Sequence, residues 1–269
     1  VSSSLGHRSS LYGEFAKKCL EAILEIRPDL IHGHNAYHIS AVMKKQKINV
    51  PILTHLHGSV DLDLYGDKLP FEFDIGRALR DRFYRIFSMW KKKYVTRYAD
   101  LVIANSEYTA NSVHKYFPRK LVRVIYNGVD LRRFRRVQSD LKDLYGARKI
   151  LLFVGRPAPF KGIQYLIRAM PQLNKICEGL ACLLVGVKRD EGYYGAYYRW
   201  LRSIAEDLRL ENVVFLEAVP YFDLPKYYSM ADCLVIPSYP EPAPSKVLLE
   251  GQACSCPIVA TDGGGIPEI

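Results

Sequence analysis

Three stretches in the second half of the sequence join a buried-strand run to groups able to hold an anion. The first is Ile150-Leu-Leu-Phe-Val154, followed by Gly155-Arg156-Pro-Ala-Pro-Phe160-Lys161-Gly162 and a helical pattern from Ile163 to Met170. A strand, a glycine turn with two cations and a helix N-terminus together make a phosphate cradle. Helix amides and the helix dipole attract the anion, Arg156 grips it with a planar fork, and Lys161 adds a point charge. The chemistry this suits is departure of a phosphate leaving group. The same residues also read as a surface turn with two solvated cations, because glycine and basic residues are common in turns.

The second stretch runs from Cys233-Leu-Val-Ile-Pro-Ser238 into Tyr239-Pro240-Glu241-Pro242-Ala243-Pro244-Ser245-Lys246-Val247-Leu248-Leu249-Glu250. Its prolines enforce an extended approach, and Ser245 caps a helix whose first amides, at Lys246 and Val247, face the same anion. A carboxylate near a phosphate cradle is repelled by the anion, so the natural partner of Glu250 is a diol such as a ribose, and Glu241 suits sugar hydroxyls. Both also read as surface acids. In the third stretch a strand at Ile258 to Ala260 enters Gly263-Gly264-Gly265, where backbone can approach a ligand closely.

Histidine gathers in the first half, as His32-Gly-His34-Asn35 and His55-Leu-His57-Gly58, each after an apolar run. Ligands of open parallel sheets bind beyond the C-terminal strand ends, so both pairs fall where a site is expected, and strand alternation puts each pair on one face. The pairs invite a zinc reading, but no carboxylate or further histidine follows at ligand-like spacing, and the expectation is no metal. Asp61 and Asp63 suggest a divalent clamp on a diphosphate; a loop-surface role is preferred, since Arg156, Lys161 and the amides already serve that anion.

Short apolar runs alternating with helical segments are the signature of βαβ units and parallel sheets. The 269 residues suffice for two such domains. The expected division is 1–133, a charged connection at 134–149, and 150–269. An apolar share of 49% excludes a disordered or fibrous chain. The net charge of +10 is uneven: the first 133 residues carry 22 basic and 13 acidic side chains, residues 151–269 carry 11 and 13. An amphipathic pattern over 76–97 sets an apolar stripe against Arg80, Arg82, Arg85, Lys91, Lys92 and Lys93, fitting either a domain helix or a contact with an anionic membrane. Nucleic acid is disfavoured, because no recognised binding module accompanies the basic residues. Six unpaired-looking cysteines point to a reducing compartment. No signal peptide or membrane-length apolar run is visible, and the start at Val1 and stop at Ile269 suggest truncation at both ends.

In their order and spacing these segments resemble a family-4 retaining glycosyltransferase of the two-domain GT-B fold. The resemblance is carried by Arg27-Pro-Asp-Leu-Ile-His-Gly-His-Asn35, Asn105-Ser106, Val124-Ile-Tyr-Asn127-Gly128-Val-Asp130, the turn at 155–162, Ala231-Asp232 through Ser238, Glu250, and Gly264-Gly265-Ile-Pro-Glu268. It implies two Rossmann-like domains facing across a cleft, with a nucleoside diphosphate sugar held mainly by the second and the acceptor by the first. By position it puts Arg156 and Lys161 on the diphosphate, Glu250 on the ribose, His57 beside the transferred sugar, and His34 and Asn35 on the acceptor side. Gly155, Glu241, Ser245, Lys246, Val247, Gly264 and Gly265 complete the donor site. No metal or other cofactor is implied. One departure stands out: the family has seven residues between two glutamates, whereas Glu241 and Glu250 are separated by eight and Pro242 holds the expected position.

The function expected is sugar transfer to an acceptor hydroxyl with retention, on a carbohydrate or lipid-linked acceptor, in the cytoplasm or peripherally at the inner membrane face. No carboxylate is evident at a position that demands a covalent intermediate, so same-face attack assisted by the leaving phosphate is favoured. Two rivals remain, a sugar-nucleotide-binding protein without catalysis and a metal-dependent hydrolase built on the HxH pairs.

Overall fold

The computed structural model describes residues 17–34, 49–58, 60, 93, 96–189, 192–239, 241 and 245–269. The chain forms two compact α/β units and passes from the first to the second at Asn127. The first holds four parallel strands in sequential order, β1 (Ile31–His34), β2 (Ile52–Leu56), β3 (Leu101–Ala104) and β4 (Val122–Val124). Helix α1 (Glu107–Tyr116) connects β3 to β4. Along β2 the side chains alternate, with Ile52, Thr54 and Leu56 buried and Leu53 and His55 on the other face. Leu56, Ala99, Val102 and Val113 form the core beneath α1. Asn105 and Ser106, both buried, belong to the cap of α1: the Ser106 hydroxyl accepts the Thr109 amide at 2.9 Å, satisfying one orphan donor of the first turn.

The second unit begins its ordered elements with the short α2 (Leu141–Leu144) and then β5 (Lys149–Val154). Next come α3 (Ile163–Ile176), β6 (Leu180–Val185), α4 (Gly192–Asp207), β7 (Val213–Phe215), α5 (Leu224–Met230), β8 (Cys233–Ile236), α6 (Lys246–Ala253) and β9 (Ile258–Ala260). All five strands are parallel, in the order β7-β6-β5-β8-β9. The chain therefore builds outward from β5 through β6 and β7, then returns to the other side of β5 with β8 and β9. Every residue of β6 is buried, as a continuous apolar run in a sheet covered on both faces requires. Ile150, Leu152, Leu183 and Val185 face one core with Tyr228, Leu234 and Leu248; Phe153, Cys182 and Leu184 face the other with Ile163, Ile167, Tyr197 and Leu201.

The charged connection expected at 134–149 packs against the second unit. Phe134 is fully buried in the core of the second unit, Leu141 and Tyr145 pack on it, and the Val137 amide donates to the Ser229 hydroxyl at 3.0 Å. Apolar residues spaced among the charges supply this packing, and the first strand starts at Lys149, one residue before Ile150. The basic pattern at 76–97 lies largely outside the described residues; of its last turn, Lys93 rests 3.5 Å from the centre of the Tyr116 ring. Among the described residues no helix is long and apolar enough to cross a membrane.

Both units anchor a strand in the same way. Asp100, just before β3, accepts the Ile52 amide of β2 at 2.8 Å, and Asp232, just before β8, accepts the Ile150 amide of β5 at 2.8 Å. Asp232 also takes Lys142 at 2.7 Å and Lys149 at 3.0 Å. Burial pushes its carboxyl up, but the bonds from Lys142, the Ile150 amide and Lys149 outweigh that and hold it below its usual value of 3.8. A depressed carboxylate contributes stability above the unfolded-state value, and that contribution is lost as the pH falls through the lower folded one. Asp232→Asn is thus expected to cost about 2 kcal/mol at neutral pH, typical of hydrogen bonds to a charged group. In urea melts against pH, the gap from the unmodified protein should close below pH 3.8; a gap independent of pH contradicts the charged anchor.

Candidate functional site

The second sheet reverses its order between β5 and β8, and ligands of open parallel sheets bind at such a switch point, beyond the strand ends. Two of the three stretches singled out in the sequence leave β5 and β8 there, and the third leaves the neighbouring β9. After β5 the chain forms a single 3-10 turn at Pro159–Lys161 and enters α3 through Gly162 in the left-handed region, with φ 70°. The Tyr239 amide donates to the Phe160 carbonyl at 2.9 Å, tying the β8 exit to this turn. The guanidinium of Arg156 lies 5.9 Å from the Phe160 ring centre and 5.7 Å from that of Tyr194. These rings hold its fork at the strand ends by cation–π attraction.

Lys161 and Glu241 come together as an ion pair at 2.6 Å, with side chains only 18% and 12% exposed. The Glu241 main chain is fixed from the other side, since its carbonyl accepts the Gly265 amide at 2.8 Å. Gly264 has φ +67°, and a Cβ placed there falls 1.8 Å from the Glu241 carbonyl oxygen. The glycine run therefore admits the Glu241 backbone, where the sequence suggested close approach of a ligand. Pro242, the position of expected family spacing, lies outside the described residues. The one-residue offset thus leaves Glu241 beside the cation turn, with its carboxylate on Lys161.

Ser245 caps α6, its hydroxyl accepting the Leu248 amide at 3.4 Å. The amides of Lys246 and Val247 are first-turn donors with no acceptor inside the helix. Glu250, a turn later, is 4% exposed, and its two oxygens accept the hydroxyls of Tyr221 at 3.1 Å and Tyr228 at 2.8 Å. Burial, then the charge of Glu250 and its hydrogen bond, push both phenols above their ordinary value of 10. Tyr228 is fully buried, whereas Tyr221 is 44% exposed, so of the two hydroxyls on Glu250 the one from Tyr221 belongs to the residue that reaches solvent. Neither tyrosine was singled out in the sequence, since Tyr221 precedes α5 and no local pattern ties either residue to Glu250. Ser238, also missed, has a buried hydroxyl with no hydrogen-bond partner among the described residues.

The histidines belong to the first unit. His32 and His34 on β1, and His55 and His57 at β2, share one face, because the parallel register sets His34 beside His55. His34 Nδ1 lies 2.9 Å from His57 Nε2. Asn35 lies outside the described residues, as do Asp61 and Asp63.

Comparison with known proteins agrees with this architecture. The family model for glycosyl transferases group 1 matches residues 135–269, and that for glycosyltransferase family 4 matches residues 3–133. D-inositol 3-phosphate glycosyltransferase 2 of Catenulispora acidiphila is 31% identical over 257 residues, 88% of this chain and 56% of that protein. The GDP-mannose-dependent alpha-(1-6)-phosphatidylinositol monomannoside mannosyltransferase of Mycolicibacterium smegmatis is 32% identical over 183 residues, 63% of this chain and 46% of that protein. The chain spans about half the length of the curated relatives it matches. Among solved structures, sucrose-phosphate synthase of Thermosynechococcus elongatus superposes with a TM-score of 0.78 at 24% identity, covering 96% of this chain and 63% of that one. Anabaena HepE in complex with UDP-glucose gives 0.70 at 25% identity, covering 99% and 67%. Two parallel-sheet α/β units of the GT-B type, matched end to end by these family models, show that the chain belongs to the glycosyl transferases group 1 family.

Proposed function

We propose that this chain carries the donor site and acceptor-side unit of a retaining glycosyltransferase, which moves a hexose-type sugar from a nucleoside diphosphate to an acceptor hydroxyl. The observation that carries the reading is the two-cation turn at the β5/β8 switch point, with the α6 amides on the neighbouring loop. The names of its relatives and the UDP-glucose complex of HepE support the substrate class. Arg156, Lys161 and the Lys246 and Val247 amides bind the diphosphate and stabilise the charge it gains as it leaves. The bond from the anomeric carbon to the phosphate oxygen breaks, its electron pair going to the diphosphate. The acceptor oxygen bonds to the same face of that carbon, and its proton passes to the departing phosphate. Glu250 receives the ribose on its Tyr221 side, and Glu241 turns from Lys161 to the sugar once the diphosphate takes its place. His57 orients the transferred sugar, with His34 and Asn35 on the acceptor side.

Positive charge at the donor site comes from side chains and amides, so this step needs no resident metal. The basic excess of the first 133 residues suits an anionic or lipid-linked acceptor met by peripheral contact with an anionic membrane, on the cytoplasmic side. A second reading, sugar-nucleotide binding without transfer, draws on the Lys161–Glu241 pair, which occupies one of the two donor cations.

A screen of nucleoside diphosphate sugars for protection of the full-length protein against thermal unfolding tests the donor site, because only a bound ligand raises the midpoint. At least one is expected to do so, with Glu250→Gln weakening its binding about tenfold, as loss of one charge-assisted hydrogen bond implies. Protection by none contradicts the donor site. Protection without transfer to any acceptor, or hydrolysis of the sugar, leaves the binding-protein reading.

A further inference from the structure

The roles of His57 and His34 in transfer do not account for the gathering of four imidazoles on the first sheet. Ring centres lie 4.4 Å apart for His32 and His34, 4.9 Å for His34 and His55, and 4.3 Å for His55 and His57. Such a cluster is unfavourable when protonated. Burial, then the neighbouring imidazoles, push His55 down to about 4, and burial with His34 lowers His32.

One ring nitrogen from each of His32, His34 and His55 lies within 4.8 Å of the other two. Tetrahedral zinc, with Zn–N of about 2.0–2.1 Å, sets its ligand nitrogens about 3.3 Å apart. The exposed His32 and His34 can close that gap by side-chain rotation. Two further observations point to an ion. Nε2 of His55 is buried and has no hydrogen-bond partner among the described residues. His34 Nδ1 is engaged by His57 Nε2 at 2.9 Å, which leaves His34 Nε2 to ligate; a ligand histidine held through its other nitrogen is the usual arrangement at metal sites. Three imidazole nitrogens, with no carboxylate in the cluster among the described residues, favour a borderline transition ion over magnesium or calcium.

We propose that His32, His34 and His55 bind one zinc-type ion on the exposed face of the first sheet, with His57 as the hydrogen-bonding partner of His34 and water at the fourth position. The proposal shares His34 and His57 with the acceptor-side reading but is tested by metal binding alone, whether or not that reading holds.

Titration of the tag-free, metal-stripped full-length protein with Co2+, followed by absorption and calorimetry, and competition by Zn2+ test the site. The expected result is one ion with the intense visible bands of four-coordinate Co2+, displaced by zinc. His32→Asn and His55→Gln should each weaken binding at least tenfold, and His57→Gln should do so by about tenfold through the lost partner. His114→Gln, a change at an exposed position on α1, should leave affinity unaltered. His32 is exposed, so its variant reports on ligation even where His55→Gln unfolds. Absence of saturable binding, or affinity unchanged in His32→Asn, overturns the assignment.

Discussion

Arg156→Ala is expected to lower the rate of sugar transfer by roughly two orders of magnitude or more, the loss usual when one preorganised electrostatic group is removed from a developing charge. The expectation rests on where the guanidinium is held. It leaves β5 at the switch point, near the Phe160 and Tyr194 rings, so little ordering remains when the leaving group acquires charge. Arg156→Lys should recover only part of the rate, because an ammonium restores the charge without the fork or the aromatic contact. The decline should appear in kcat as well as kcat/KM, since the interaction strengthens as the bond breaks. Near-normal turnover of Arg156→Ala in the full-length protein would remove this residue from the mechanism. Loss confined to KM would make it a binding group alone.

Strands β5 and β8 at this site were legible because each is an apolar run ended by glycine or proline, the composition favoured in a sheet covered on both faces. Arg156, Lys161, Ser245 and Glu250 could be picked out because a turn and a helix start put them at strand ends. Their partners could not. The Lys161–Glu241 pair joins residues eighty apart, and it forms because β8 returns beside β5, a fact of strand order rather than local spacing. The tyrosines on Glu250 come from the loop before α5 and from α5 itself, and nothing near Glu250 in sequence announces them. The histidines show the same limit. Each HxH pair is visible alone and looks short of ligands, while the β1–β2 register that sets His34 beside His55 assembles the cluster. In the connection at 134–149 the charges are plain in the sequence, whereas the packing of Phe134, Leu141 and Tyr145 on the second core depends on the fold.

Gly162→Ala should be strongly damaging at the donor site, for two reasons that can be separated. Gly162 has φ +70°, a left-handed conformation that disfavours a side chain by about 1–2 kcal/mol. A Cβ there also falls 1.9 Å from the Pro237 carbonyl oxygen and 2.8 Å from its carbon, and this neighbour is backbone at the β8 exit. Relief requires the β5 turn and the β8 exit to part, which strains the bond from the Tyr239 amide to the Phe160 carbonyl and draws Lys161 away from the switch point. Overpacking of this kind adds about 1–3 kcal/mol, so the total should reach about 3 kcal/mol or more. In a domain of this size that is on the order of a 10 °C fall in melting temperature. Gly146 supplies the comparison, having φ +55° but open space around it, with no atom within 4 Å of where an alanine Cβ would sit. Gly146→Ala should show the conformational cost alone and leave binding of a nucleoside diphosphate unchanged, whereas Gly162→Ala should weaken both stability and binding. Equal losses in the two variants would mean that the close approach of Pro237 does not hold the donor turn in place.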